Sequence, residues 1–336
     1  MTAHTTYTPH TFSPLDSGWT LTALNPELAP EALRGLLAAG IPATVPGEAT
    51  IDLLNAGLID DPFDGDNETK QQWIGDIDWR FTCEFDWHSD GNDRHDLVAY
   101  GLDTVAYVSL NGLVVGNTRN FHRTYRWDAR PYLRDGKNTL SVAFMSPVRF
   151  SDAEEQRRGY YPHTEHHAFN QIRKPSYSFG WDWGIDVANA GIWRPVGLDS
   201  WTEVRIEAVR PLVDVRPDGT GVLTVNVDIE RAGNGHLMSP GDAHASKPAV
   251  PLTVHVGGHD VNLELAGVIA QGRNSGSITV EIPDVEPWWP RGYGDQPLYD
   301  VQVSLGEHGE AQWAGEVGFR TCLLYTSDAA DELDGV

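Results

Sequence analysis

The sequence predicts an all-β chain of two successive sandwiches, an N-terminal jelly roll followed by an immunoglobulin-like sandwich. Three observations predict it. Short runs with strand-like alternation recur between turn residues, and the chain carries 34 Gly and 21 Pro to make those turns. One pair of runs is a clear hairpin, because VAYVSL and LVV within Val105–Val115 flank Asn111-Gly112, the residue pair favoured by a type I′ turn. From Trp201 onward the runs are spaced fairly regularly by turn clusters, the rhythm of an immunoglobulin-like sandwich.

Taken in order, Pro30–Leu37 reads as a short helix stopped at Gly40, and Ala49–Asn55 as a second that ends near Gly57. The Val105–Val115 hairpin follows, then a strand over Thr139–Phe144 and a helical turn over Asp152–Arg158 that projects from the sandwich. In the second region, Val204–Ile206, Gly221–Ile229, Pro251–Val256, Ser277–Ile282 and Leu298–Leu305 alternate as strands. Arg231–Val250 is polar and rich in Gly, Ser, Pro and His, which predicts a loop. The domains are accordingly placed at 1–198 and 199–321, with 322–336 as a tail of different character.

Composition narrows the function. Hydrophobic residues make up 40% and aromatics 10% of 336 residues, enough for real cores and against global disorder. The net charge of −24 argues against nucleic acid and anionic membrane as partners, and its plain reading is solubility. No window approaches the roughly 18 apolar residues of a membrane span. Met1–Thr20 lacks the basic head and apolar stretch of a secretory signal. Two cysteines, Cys83 and Cys322, cannot build a disulfide framework, so a cytoplasmic location is expected. Without a Walker loop, dinucleotide fingerprint or nucleophile elbow, no cofactor is expected.

The chemistry concentrates in Arg173–Val196, RKPSYSFGWDWGIDVANAGIWRPV. Tyr177, Phe179, Trp181, Trp183 and Trp193 surround Asp182 and Asp186, with Gly180, Gly184, Gly191 and Pro195 as breaks. Indoles offer flat apolar faces and a carboxylate accepts hydrogen bonds from hydroxyls, so Trp-Asp-Trp on a sharp loop suits a sugar's C–H face and hydroxyl ring. The same residues also suit a buried aromatic loop in which Asp182 satisfies backbone N–H groups. Other clusters carry less. Asp60, Asp61, Asp64, Asp66 and Glu68 around Gly65 lack calcium-loop spacing and read as a solvated turn. His163, His166 and His167 lie close without an obvious further ligand, so no metal site is expected. Cys83 in FTCEF reads as a buried, inert thiol.

The Arg173–Val196 stretch closely resembles the corresponding loop of the β-mannosidases of glycoside hydrolase family 2. The resemblance extends, in the family's order, through Ala43–Glu68, Trp79-Arg80-Phe81 with Phe85, Gly101–Asp128, Gly136–Pro147, Trp288–Val303 and Val317–Thr321. Ile185 departs from it, standing where many relatives carry Pro, a change expected to alter loop stiffness more than ligand chemistry.

The resemblance implies a galactose-binding-like jelly roll, an immunoglobulin-like sandwich and then a (β/α)₈ barrel that these residues do not contain. It implies retaining hydrolysis of terminal β-D-mannose by two glutamates about 5–5.5 Å apart. Both belong to the barrel, so no catalytic residue is assigned here, and the 336 residues alone are expected to be inactive. Asp182 is implied as the acceptor for sugar hydroxyls, with Trp181 and Trp183 as walls, and Arg173 and Lys174 are expected to pair with nearby acids and hold the loop. Trp288 and Trp289 are expected to pack in a core or at a domain interface. The partners implied are a mannose-containing oligosaccharide or glycan and the barrel of the same chain. Homodimerisation is left open.

After Thr321 the sequence CLLYTSDAADELDGV shows no family resemblance and is similar to translated library-adapter DNA, so the authentic sequence is expected to end near Thr321. A stand-alone carbohydrate-binding protein and a relative acting on a β-galactoside or β-glucuronide remain the alternatives.

Overall fold

The computed structural model describes residues 11–164, 166–180, 184–232, 248–307, 309 and 311–321. Two compact units divide at Ser200 and Trp201.

In the first unit, strands β1 (Thr11–Pro14), β2 (Trp19–Ala23), β3 (Ile41–Ala43), β4 (Trp79–Trp87), β5 (Arg94–Ala99), β6 (Val105–Leu110), β7 (Leu113–Arg119), β8 (Tyr125–Asp128), β9 (Gly136–Phe144) and β10 (Val196–Trp201) build two sheets. One has the order β3-β2-β4-β9-β6-β7 and the other β1-β10-β5-β8. All described pairings are antiparallel. This is the sandwich the strand pattern predicts.

Its core follows from period-two alternation. Trp79, Phe81 and Cys83 of β4 and Leu140, Val142 and Phe144 of β9 point inward and are buried, as are Leu97 and Ala99 of β5 and Val196 and Leu198 of β10. Phe81 and Phe144 meet edge to face, with ring centroids 5.7 Å apart. Both faces of β5 are buried, and on the side away from this core Asp96 accepts from Arg94 Nη2 and Arg126 Nη1, each at 2.9 Å. A carboxylate with no exposure needs such partners.

Among the described residues, five α-helices accompany the sandwich: α1 (Glu31–Ala39), α2 (Ala49–Asn55), α3 (Asn67–Lys70), α4 (Trp73–Asp76) and α5 (Pro147–Arg158). The stops read from sequence hold, with Gly40 at the end of α1 at φ 104° and Gly57 beyond α2 at φ 67°. The hairpin also holds: Leu110 faces Leu113, and Asn111 and Gly112 both take positive φ, as a type I′ turn requires. Helix α5 is longer than the turn expected over Asp152–Arg158. Ser146 caps it by accepting from the Arg149 N–H at 3.0 Å, and Pro147 occupies the first turn, where a missing N–H costs nothing.

The second unit is the immunoglobulin-like sandwich. Strands β11 (Val204–Val215), β12 (Gly221–Arg231) and β15 (Ser275–Ile282) form one sheet. Strands β14 (Val261–Ile269), β13 (Val250–Gly258), β16 (Tyr299–Leu305) and β17 (Ala311–Val317) form the other in that order. Leu223, Val225 and Val227 pack with Leu252, Val254, Val301 and Val303 in one core. Strand β11 runs well past Ile206, where a bulge shifts its register against β12. The ends of the loop expected over Arg231–Val250 belong to β12 and β13; residues 233–247 lie outside the described residues, as does the tail 322–336. No (β/α)₈ barrel occurs among the described residues, and none of their helices is long and apolar enough to cross a membrane.

Candidate functional site

The Arg173–Val196 stretch is anchored on both sides of Trp181-Asp182-Trp183. Before it, Phe179 is fully buried in a small cluster with Val105, Val148, Ile172 and Ala188. Gly180 then turns at φ +87°, and a Cβ there would come within 2.9 Å of Asp186 Cβ. Only glycine tolerates that conformation and that approach together. On the other side, Asp186 is gripped through its backbone: its N–H donates to Glu68 Oε2 at 2.9 Å and its carbonyl accepts from Gln72 Nε2 at 2.6 Å.

Residues 190–192 are held like a strand. Ala49 donates to the Ala190 carbonyl at 3.0 Å, Gly47 to Ile192 at 2.8 Å, and Asp103 and Gly191 exchange backbone bonds at 2.9 and 3.2 Å. A Cβ at Gly191 would lie 2.4 Å from the Gly47 carbonyl oxygen, so the close approach depends on glycine. This ladder brings Glu48, Asp103 and Asn189 to one place, although they lie far apart in sequence.

They line a cavity of about 410 Å³, large enough for a small ligand. Tyr177, Ser178, Ile185, Val187 and Trp193, from either side of the Trp-Asp-Trp residues, contribute to the same wall. Phe121 stacks on Trp193 with ring centroids 4.2 Å apart and planes 8° from parallel, and the Arg194 guanidinium lies 4.2 Å from the Trp193 ring. The cavity therefore combines flat aromatic faces with hydrogen-bond acceptors.

A buried polar network sits behind it. Lys174 Nζ pairs with Asp103 Oδ2 and donates to the Asn189 carbonyl at 2.9 Å. The Thr104 hydroxyl donates to Asp103 Oδ1, and the Thr50 hydroxyl donates to Asn189 Oδ1. Burial pushes the Glu48 carboxyl up, opposed by Lys174 and reinforced by Asp103 and Asp52. Burial likewise pushes Asp52 up to about 6 against the hydrogen bond it accepts from the Thr44 N–H at 2.9 Å.

Of the site residues read from sequence, Asp182, Trp181 and Trp183 lie outside the described residues. Lys174 does pair with an acid, Asp103. The Arg173 side chain is exposed, and the residue contributes through its carbonyl, which accepts from the Phe121 N–H at 2.9 Å. The acidic run is a turn for the most part: Asp61 Oδ1 accepts from the Phe63 N–H, and Asp66 pairs with Lys70 at 2.6 Å. Glu68 departs from that reading by holding Asp186. His163 meets Glu155 at 3.2 Å, whereas His166 reaches Asp186 Oδ2 at 3.0 Å. The His167 imidazole is held below its usual range by burial and by His166, against the pull of Asp186, Asp152 and Asp76. Cys83 is buried, and burial pushes its thiol up to about 12. Trp288 is half-buried, and its backbone N–H donates to the Phe319 carbonyl at 2.9 Å. Trp289 is 44% exposed, with the Arg320 guanidinium 5.1 Å from its ring, so it is not a core residue of the described structure.

Sequence reading missed Glu48, Asp103, Asn189 and Phe121. No local pattern marked them, because a lone sequence does not reveal which segments meet.

A jelly roll with an aromatic- and acid-lined cavity, followed by an immunoglobulin-like sandwich, defines a class: the paired β-sandwich domains of glycoside hydrolases. Residues 19–194 match the galactose-binding domain-like model of glycosyl hydrolase 2, and residues 204–320 match the model of glycosyl hydrolases family 2. The chain belongs to glycosyl hydrolase family 2. It is similar to β-mannosidase A of Aspergillus aculeatus, 29% identical over 324 residues that cover 87% of this chain and 33% of that protein. It is similar to the β-mannosidase of Capra hircus, 30% identical over 84% of this chain and 33% of that protein. Among solved structures, the β-D-mannosidase of Dictyoglomus thermophilum superposes with a TM-score of 0.76 at 28% identity, covering 94% of this chain and 37% of that one. The chain thus spans about a third of the length of the curated relatives it matches. A putative β-galactosidase of Bacteroides fragilis shares the fold at 16% identity, with a TM-score of 0.61.

Proposed function

We propose that this chain is the N-terminal part of a β-mannosidase that removes terminal non-reducing β-D-mannose by the retaining, two-carboxylate route. The observation that carries the reading is the cavity beside Gly180 and Asp186, where both flanks of Trp181-Asp182-Trp183 meet Glu48, Asp103 and Asn189. Aromatic faces against acceptors suit a neutral polyol. In this reading Asp182 accepts from sugar hydroxyls remote from the scissile bond, Trp181 and Trp183 bound the ring, and Lys174 holds the wall behind. The acid and the nucleophile come from the barrel, so the 336 residues alone bind weakly and turn nothing over.

Turnover of aryl β-D-mannoside, β-D-galactoside and β-D-glucuronide tests this, with the 336 residues alone and with the reading frame extended through a barrel. The proposal expects the extended enzyme to prefer the mannoside and the short chain to be inert. Preference for another glycoside overturns the substrate. Tight mannoside binding by the short chain favours the stand-alone binding protein instead.

A further inference from the structure

We propose that His166, His167 and Asp186 form a binding site for a transition-metal dication such as Zn²⁺. One ligand atom of each residue lies within 4.8 Å of the others, although Asp186 comes from nineteen positions down the chain from His167. Donors on a tetrahedral zinc with bonds of about 2.0–2.1 Å stand about 3.3 Å apart. His166 Nε2 and Asp186 Oδ2 are already 3.0 Å apart. His166 is 62% exposed, and its ring centroid lies 4.1 Å from that of His167, so the third donor is adjacent as well.

The other two donors are held. Asp186 is fixed through its N–H and carbonyl by Glu68 and Gln72. The His167 ring packs edge-on against the buried Phe179, centroids 6.0 Å apart. Supporting contacts of this kind orient ligands before a metal arrives. Two imidazoles with one carboxylate suit Zn²⁺, Ni²⁺ or Cu²⁺ rather than Mg²⁺ or Ca²⁺, which prefer all-oxygen sites. Asp76 and Asp152 lie within electrostatic reach of His167 and add attraction for a dication. Three protein ligands leave one tetrahedral position for water. A bound metal would fasten residues 166–167 to the segment that begins three residues past Trp183. The proposal does not depend on the sugar reading, although Asp186 also anchors the segment beside that cavity.

The competing arrangement is a bare His166–Asp186 ion pair, which holds no metal. Visible absorption during Co²⁺ titration of the untagged 336-residue chain at neutral pH separates the two, followed by displacement with Zn²⁺. One saturating equivalent is expected, with affinity falling about tenfold or more in both His166→Gln and Asp186→Asn and unchanged in His163→Gln. His166→Gln alters an exposed side chain, so circular dichroism should confirm an intact fold. Zn²⁺ should also raise the melting temperature of the parent chain and leave that of His166→Gln unchanged. Absence of saturable Co²⁺ binding, or binding indifferent to both His166→Gln and Asp186→Asn, overturns the proposal.

Discussion

Replacing Lys174 by Met exposes the logic of the wall behind the cavity. The Lys174 side chain has no solvent exposure and that of Asp103 has 8%. The ammonium also donates to the Asn189 carbonyl and lies near Glu48, whose carboxyl it pulls down against burial. Methionine fills most of the volume and removes the positive charge that faces Asp103 and Glu48. Removing one partner of a buried ion pair typically costs about 3–5 kcal/mol, because the other charge is left uncompensated. For a unit of this size, each kcal/mol moves the midpoint by about 2–4 °C, so Lys174→Met should melt roughly 6–20 °C lower. The sign with pH is also fixed. With Lys174 gone, the Glu48 carboxyl rises further, and an acid whose folded pKa is raised loses stability as pH rises through that range. The deficit should therefore be larger at pH 8 than at pH 5. The double variant Lys174→Met, Asp103→Asn should regain most of the loss, since no buried charge is orphaned at Asp103. Calorimetry of the three chains at both pH values measures this. A Lys174→Met midpoint within 2 °C of the parent, or a double variant worse than the single, would refute the reasoning.

Asp52→Asn should act in the opposite direction at neutral pH. The Asp52 carboxyl, raised to about 6, contributes stability below about pH 4 that is lost by pH 6, so the Asn chain should gain about 1–2 kcal/mol over the parent at pH 7.5 after allowing for solvent screening, and little at pH 4; urea midpoints at the two pH values decide it. Cys83 should be silent toward thiol reagents in the folded chain. With Cys322 replaced by Ser, a disulfide reagent should release no chromophore until urea is added and then one equivalent, and rapid labelling without urea would contradict the buried position.

What was legible in the sequence was local. Asn111-Gly112, the stop at Gly40 and the alternation of Leu140, Val142 and Phe144 each carry a short-range rule, and each appears as read. Strands β14 and β17, both sheet edges, escaped notice, although Asn262, Glu264 and Ala266 alternate with the partly buried Leu263 and Leu265; Gly315 interrupts β17. Helix α5 was read only over its polar half, Asp152–Arg158, whereas Ser146-Pro147 marks its true start. The cavity wall was not legible at all. Lys174 meets Asp103 across 71 positions, and Glu48 reaches Gly191 only through a backbone ladder. Such meetings are set by tertiary packing, which periodicity does not encode. The Arg173–Val196 stretch stood out in the sequence because its aromatic and acidic side chains are close along the chain, and its flanks Tyr177, Ser178, Ile185, Val187 and Trp193 do line one cavity.

The central claim is that this stretch presents Asp182 to the hydroxyls of a mannose, and kcat/KM of the barrel-bearing enzyme on an aryl β-D-mannoside tests it most directly. Hydrogen bonds to a charged acceptor are worth about 1.5–3 kcal/mol each, so two of them lost in Asp182→Ala should lower kcat/KM by about a hundredfold or more, with the fold unchanged by circular dichroism. Kinetics within threefold of the parent would contradict the account.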